Sequence, residues 1–383
     1  MPSRRRAIIV GAGIAGLSTA ISLAQHGWHP IVLERAPTRR RGGYLIFFRG
    51  NALRAAETLG IRDSLTDRLT PDSRWWESDF IGTLRQGMRP PPSVGHNSLT
   101  MLRGDLEDAL HTAAEPVAEI RYGQSLVGID ESTTGVRVTL ADGQHLDADI
   151  LIGADGVHST VRNQSFGPPS QFQQNWDHVV AAFVVKRPLT WLPKHHTVVR
   201  AEAGRSAWVT GFTPNPVTYL LYRTNQAETD LNQDPVTVLS RVFEGSGGHI
   251  PDLLDALHES DNPLFDQIRQ IHMPRWHTHR TVLLGDSAWC TTLYSAYGSA
   301  LALEASIALA SALNETTDVP SALPRWQAAI KPTVRHHQHR ALRMQRLFLP
   351  ANDTARRIRS GVIRLSHLPG GSRIANMLIP QPL

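Results

Sequence analysis

Residues 6–16 read Arg6-Ala7-Ile8-Ile9-Val10-Gly11-Ala12-Gly13-Ile14-Ala15-Gly16, and the pattern they open runs on to Glu34. Residues 6–10 form a short apolar run of the kind buried in a parallel sheet. The run enters a Gly-x-Gly-x-x-Gly turn, Leu17 to His26 then carry apolar positions at helical spacing, and Gly27 closes the helix. Pro30-Ile31-Val32-Leu33 supplies a second strand that ends at Glu34. Strand, turn, helix and strand together form the full context of a dinucleotide-binding fingerprint, which a glycine triplet alone does not. The three glycines serve different ends. Gly11 permits the tight turn, Gly13 lets a pyrophosphate approach the main chain, and Gly16 lets helix and strand pack closely. The N–H groups of the first helical turn, with Ala15 among them, and the positive end of the helix dipole suit the phosphates. Glu34 would accept hydrogen bonds from a ribose hydroxyl and would repel a 2′-phosphate. The fingerprint leaves NAD and FAD equally open.

Further along the chain, Met101-Leu102-Arg103-Gly104-Asp105-Leu106-Glu107 starts a helix with Asp105 in its first turn. Strand-like alternation at Val136–Leu140 and an Asp142-Gly143 turn lead to Asp149-Ile150-Leu151-Ile152-Gly153-Ala154-Asp155-Gly156, followed by Ser159-Thr160-Val161-Arg162. A third apolar strand, Thr281-Val282-Leu283-Leu284, ends in Gly285-Asp286, where a carboxylate suits a ribose or ribityl hydroxyl. The Ala/Leu-rich stretch from Gly298-Ser299-Ala300 reads as a helix whose start would aim a second dipole at an electron-rich group.

In this order, Gly-x-Gly-x-x-Gly, Arg-x-Asp-Leu, Gly-Ala-Asp-Gly and Gly-Asp resemble the single-component, FAD-dependent aromatic hydroxylases, the class A flavoprotein monooxygenases typified by p-hydroxybenzoate hydroxylase. Within them the chain is most similar to the shorter branch of tetracycline-degrading monooxygenases and bacterial oxygenases of secondary metabolism and antibiotic biosynthesis. The motifs span residues 7 to 305. The resemblance implies an α/β fold: an FAD-binding, Rossmann-like domain of the glutathione-reductase type, an interleaved antiparallel-sheet substrate domain and a C-terminal bracing helix. The expected division is 1–72, 98–175 and 271–320 for FAD, 73–97 and 176–270 for substrate, and a helical segment at 321–383.

It also implies site residues. Glu34 is expected at the adenosine ribose, Arg103, Gly285 and Asp286 at the FAD, and Arg41 with Gly42 near the flavin or pyrophosphate. Arg35 is a further partner for the cofactor's anionic groups, and Asp155 is associated with FAD and nicotinamide handling. NADH or NADPH would act as a transient reductant, since no second fingerprint is present. O2 would then give a flavin C4a-hydroperoxide that delivers one oxygen atom to an aromatic or polyketide-like substrate.

The loop after Gly285-Asp286 departs from that family. Trp289 stands where His is common, Leu293 where Pro is common and Ala296 where a Gly is common. Either the loop repacks locally and leaves the chemistry intact, or flavin–oxygen chemistry is altered. Two alternatives therefore stay open: an FAD-bound cyclase or isomerase with a structural flavin, and a two-electron flavin dehydrogenase.

Composition bounds the rest. The chain has 383 residues, 41% hydrophobic and 19% charged, enough for two or three domains with a sizeable core. A net charge of +5 invites a nucleic-acid partner. The only lysines are Lys186, Lys194 and Lys331, and the arginine clusters at 4–6 and 39–41 lack the interleaved aromatics of a stacking platform, so none is expected. The lone Cys290 excludes a disulfide framework and fits a reducing, cytoplasmic setting. No apolar run reaches membrane-spanning length, so no membrane partner is expected. His195-His196 and the 336–339 cluster lack suitably spaced carboxylates, so no metal is expected.

Residues 73–97 and 176–270 should hold the substrate. Strands at Val179–Val185, His196–Val199, Ala207–Phe212 and Val217–Tyr222 read as one antiparallel sheet roofing the flavin, although period 2 does not say which face is turned to it. Pocket candidates are Phe47, Arg49, Trp208, Phe212, Tyr219 and Tyr294, walls for a flat hydrophobic small molecule. Residues 321–349 read as an amphipathic helix, kinked or restarted at Pro332. A monomer and a homodimer are equally compatible with the sequence.

Overall fold

The computed structural model describes residues 5–39, 43–49, 51–68, 70–71, 74–88, 98–261 and 263–368. Arg41, Gly42 and the Arg49 side chain lie outside the described residues, as do 369–383. The apolar run at Arg6–Val10 is the central strand of a five-stranded parallel sheet. Its strands lie in the order Thr281–Leu283, Ile150–Gly153, Arg6–Val10, His29–Glu34 and Glu119–Tyr122. Burial on both faces explains the continuous apolar character of the three inner strands. All five end at the same edge, so Gly11, Glu34, Gly153-Ala154 and Gly285 converge there. Backbone bonds fix the alignment: Gly11 N to Leu33 O at 2.7 Å, Ala154 N to Val10 O at 2.8 Å and Leu284 N to Gly153 O at 3.0 Å.

The helices Ile14–Gln25 and Gly298–Asn314 pack closely through small residues. Ser18 Oγ lies 2.8 Å from Ser306 Oγ, and Thr19 Oγ1 donates to the same oxygen at 3.0 Å. A three-stranded antiparallel sheet, Leu45–Arg49, Ser98–Leu102 and Thr70–Pro71, lies beside them. Ile46 and Phe48 face the helices, whereas Leu45 packs with Phe212 and Val217.

A second large sheet has seven strands, in the order Leu264–Ile271, Gln173–Val184, Val217–Arg223, Arg205–Thr210, His196–Glu202, Arg74–Ser78 and Leu84–Gln86. One correction is needed to its expected antiparallel character, because Arg74–Ser78 runs parallel to His196–Glu202. Those two strands are far apart in the chain and no hairpin dictates their direction. The structure also decides the faces. Val179, Ala181, Ala207, Val209 and Leu220 pack beneath the helices Pro235–Val242 and Ile250–His258. Val180, Trp208, Tyr219 and Leu221 occupy the opposite face.

The helix Val319–Phe348 touches both sheets: Trp326 joins the core of the parallel sheet, and Met344, Leu347 and Phe348 join the Trp208 face of the other. It continues through Pro324 and Pro332, where a kink or restart was expected. Packing holds the turns on both sides of Pro332: Trp326 Nε1 donates to Ala305 O at 3.0 Å, and Gln338 Nε2 donates to Ile271 O at 2.8 Å. Among the described residues no helix is long and apolar enough to cross a membrane.

Candidate cofactor and active site

The three glycines of the first turn meet different surroundings. Gly11 has φ +106°, and a β-carbon there would lie 2.5 Å from the Ala154 carbonyl oxygen. At Gly16 a β-carbon would overlap the carbonyl oxygen of Gly11. Gly13, with φ −85°, is different: its nearest neighbours would be Arg103 Nη2 and Glu107 Oε1, both at 4.0 Å. Protein packing therefore requires glycine at 11 and 16 but leaves a gap over Gly13. That gap faces the N-terminus of the Ile14–Gln25 helix, whose first N–H groups have no intrahelical acceptor, so the cradle fits a pyrophosphate. Glu34 closes one end, its Oε2 accepting from Ala12 N at 3.0 Å and its Oε1 from Ala36 N at 2.9 Å. Arg35 follows it and is exposed.

Asp286 begins a short helix after Gly285, whose φ is +73°. Its side chain is exposed, yet burial raises its carboxyl above the usual range, with Arg103 opposing the shift. It therefore looks into an interior cleft instead of the outer surface. Arg103, at the start of the Arg103–Ala114 helix, pairs with Glu107 at 2.6 Å and lies over the Tyr44 ring at 5.8 Å. Tyr44 meets Tyr219 edge-on at 6.4 Å, and Tyr219 Oη donates to Leu45 O at 2.8 Å. Burial raises both phenols, so both are neutral donors at neutral pH. The series Asp286, Arg103, Tyr44 and Tyr219 thus connects the cradle to the Trp208 face of the seven-stranded sheet. Of these, Tyr44 and Glu107 were not singled out from the sequence. The Arg103–Glu107 spacing was the one available signal, and such i,i+4 pairs are ordinary surface features.

Asp155 lies at the same edge, with both carboxylate oxygens engaged within the chain. Ser159 Oγ donates to one at 2.5 Å, and Thr160 N and Val161 N donate to the other at 2.7 and 3.1 Å, which caps the helix Thr160–Ser165. The buried Arg162 of that helix donates to Ser287 O at 2.9 Å and to Val157 O at 2.7 Å, tying the second strand-end segment to the third.

The irregular loop 289–298 has a physical account. Trp289 fills a buried cluster with Trp276 at 4.5 Å and Trp326 at 6.0 Å, which anchors the loop to the long helix. Thr292 has φ +67° and Ala296 φ +53°, both rare for residues with a β-carbon. Arg340 Nη1 donates to Ser295 O at 2.5 Å, and the Tyr297 ring stacks on His337 at 4.0 Å. Ala296→Gly should stabilise the FAD-free protein by about 1 kcal/mol, because Gly removes the left-handed penalty of Ala and offsets it only partly by its looser unfolded chain. Calorimetry should show a Tm about 1 °C higher; a lower Tm would mean that the loop does not hold this conformation.

Gly298 and Ser299 are half-buried at the start of the Gly298–Asn314 helix, and Ala300 is buried beneath them. Phe47 is half-buried on the Leu45–Arg49 strand, and the backbone of Arg49 pairs with Ser98. Trp208 is buried, stacked on Phe348 at 3.9 Å and edge-on to Trp75 at 5.2 Å. Tyr294 is fully buried, stacked on Trp176 at 5.7 Å, with its hydroxyl 3.0 Å from His178 Nδ1. Burial depresses His178 to about 3, so that imidazole is neutral. The structure thus gathers Trp208 and Tyr294 around Phe348, and Phe212 and Tyr219 around Leu45.

Residues 4–323 match the FAD binding domain family. A curated flavin-dependent monooxygenase from an unknown prokaryotic organism is 27% identical over 371 residues, covering 92% of each chain. Among solved structures, the tetracycline destructase Tet(51) aligns over 100% of both chains with a TM-score of 0.79 and 23% identity. HpxO of Klebsiella pneumoniae, solved with FAD and uric acid, aligns over 98% of this chain and 96% of its own with a TM-score of 0.80 and 22% identity. With its glycine cradle, its interior acid and its two coupled sheets, the chain belongs to the FAD binding domain family and has the fold of the class A flavoprotein monooxygenases.

Proposed function

We propose that this FAD-dependent monooxygenase uses NADH or NADPH and O2 to oxygenate a flat, aromatic or polyketide-like small molecule held against the Trp208 face of the seven-stranded sheet. The observation that carries this is the Asp286–Arg103–Tyr44–Tyr219 series, which joins the dinucleotide cradle to an aromatic sheet face. Segments 1–72, 98–175 and 271–320 form the cofactor unit in this reading, 73–97 and 176–270 form the roof, and the Val319–Phe348 helix braces them.

FAD, when bound, supplies the redox chemistry: two electrons accepted from the nicotinamide and passed to O2. The chain's own residues bind, orient and exclude water. Glu34 would accept from the adenosine ribose, and the N-terminus of the Ile14–Gln25 helix and Arg103 would meet the pyrophosphate. Asp286 would accept from a ribityl hydroxyl, and the Gly298–Ala300 helix start would face the electron-rich edge of the ring system. Phe47, Phe212 and Tyr219 would wall the substrate, and the packed cluster of Trp208, Tyr294 and Phe348 would keep bulk water from the reacting centre. The left-handed backbone at Ala296 supports oxygen chemistry over a purely structural flavin, because the loop keeps a glycine-like path without the glycine.

The test is turnover of FAD-reconstituted protein with candidate aromatic substrates, following nicotinamide absorbance and product mass. Nicotinamide consumption with one oxygen atom added to the product is expected. Product of unchanged mass without nicotinamide consumption would establish the cyclase or isomerase reading instead. Oxidised product without added oxygen would establish the dehydrogenase.

A further inference from the structure

The cradle contains a charge that a dinucleotide does not need. Glu107 follows Arg103 by one helical turn, and its Oε1 and Arg103 Nη2 stand equally far from the position a β-carbon would take on Gly13, at 4.0 Å. The cation best placed for a pyrophosphate is therefore already paired, at 2.6 Å, with a carboxylate facing the same gap. The other charged groups around Glu107 are Arg39, from the segment after the His29–Glu34 strand, and Glu34 at that strand's end. Arg39 is itself paired with Asp108. His111, a further turn along the helix, is directed away, to Tyr122 Oη at 2.7 Å and Glu115 at 3.5 Å. Burial is the largest influence on Glu107 and raises its carboxyl above the usual range; Glu34 adds to this, and Arg103 and Arg39 oppose it.

A pyrophosphate arriving over Gly13 brings negative charge to this carboxylate and competes with it for Arg103. We propose that Glu107 makes FAD uptake proton-coupled: Arg103 passes from the Glu107 carboxylate to the phosphate oxygens, and Glu107 takes one proton from solvent and donates it as a hydrogen bond to a phosphate oxygen. The inference rests on the reading that FAD occupies this cradle. No covalent bond changes, and the complex holds one proton more than the free protein and FAD together.

The sign of the pH dependence follows from that stoichiometry. Phosphate contact raises the proton affinity of Glu107 above its value in the free protein. FAD binding is then tightest, and flat with pH, while Glu107 is protonated in both states. It weakens as pH rises between the two titrations and is flat again above them.

The test titrates FAD-free protein with FAD, following quenching of flavin fluorescence between about pH 5.5 and about pH 8.5, where free FAD does not change charge. The wild-type Kd should rise with pH, by up to about tenfold per unit at the steepest point. Glu107→Gln should remove that slope and bind FAD about tenfold more tightly than wild type at the upper end. His111→Gln should keep the wild-type slope, separating Glu107 from histidine titration. Calorimetric titrations in two buffers of different ionisation enthalpy should show uptake approaching about one proton for the wild type and none for Glu107→Gln. A pH-independent wild-type Kd, a Glu107→Gln variant with the wild-type slope, or weaker binding by that variant at the upper end would overturn the proposal. A wild-type chain that takes up no FAD at any pH would overturn the functional reading itself.

Discussion

Gly13→Ala should leave the FAD-free protein folded, with a stability within about 1 kcal/mol of wild type, and weaken FAD binding by about 100-fold, close to 3 kcal/mol. Gly16→Ala should do the reverse in kind: it should cost the folded protein more than about 4 kcal/mol and abolish FAD retention with it. The contrast comes from the two surroundings. At Gly13 the backbone is extended with negative φ, and the nearest protein atoms to an added β-carbon stand at 4.0 Å, so the methyl fits the protein. It then occupies the space the pyrophosphate needs in order to reach the N–H groups of the helix.

At Gly16 the β-carbon meets Gly11 O, and Gly11 cannot yield. Its φ of +106° and its own close approach to Ala154 fix it, and its N–H is bonded to Leu33 O at 2.7 Å. The Ile14–Gln25 helix would have to lift off the central strand. Urea unfolding of the FAD-free proteins and fluorescence titration with FAD check both arms. Wild-type affinity in Gly13→Ala would show that the pyrophosphate does not lie over Gly13.

The parts of the molecule that the sequence made legible are those whose chemistry is local. Strand, glycine turn, helix and terminal acid are consecutive residues with a fixed geometric relation, so Arg6 to Glu34 could be read as one unit. The strand ends at Gly153 and Gly285 were legible for the same reason, since an apolar run ending in glycine and aspartate is a buried parallel strand reaching its functional edge. Long-range relations were not legible. Nothing near Trp208 or Val209 says which of the two faces the cofactor unit. That was decided by two helices, Pro235–Val242 and Ile250–His258, claiming the Val209 face. Tyr44 and Tyr219 stand 175 positions apart, and each alone is an ordinary aromatic. Pro332 signalled a break because the local rule is sound, but Trp326 and Gln338 hold the helix through tertiary contacts that the rule cannot contain. Asp155 shows how one motif serves a second purpose: the carboxylate beside the cofactor edge also caps the helix that follows it.

A further loss of stability is expected where the C-terminal helix meets the aromatic face. Arg359, on the helix Asp353–Ser366 and only 6% exposed, donates from Nη1 and Nη2 to the two carboxylate oxygens of Glu77 at 2.5 and 2.8 Å. Its Nε donates to Leu347 O at 2.7 Å. One guanidinium thus joins three elements: its own helix, the end of the Val319–Phe348 helix and the Arg74–Ser78 strand that carries Trp75 against Trp208. Arg359→Leu removes the cation and leaves the Glu77 carboxylate, 22% exposed, facing an apolar contact. The expected loss is about 3 kcal/mol, at the lower end of the range for a broken buried pair because water still reaches Glu77. Adding Glu77→Leu should recover most of that loss, since the stranded charge, more than the missing attraction, dominates the cost. The unfolding should begin locally, so hydrogen exchange should accelerate in 353–366 and 74–78 before it does so in the parallel sheet. Because Trp75 is freed with its strand, KM for the substrate should rise more than kcat falls. Unchanged exchange in both segments, or a double variant no more stable than Arg359→Leu, would show that the helix is held by its apolar contacts and that the ion pair carries little.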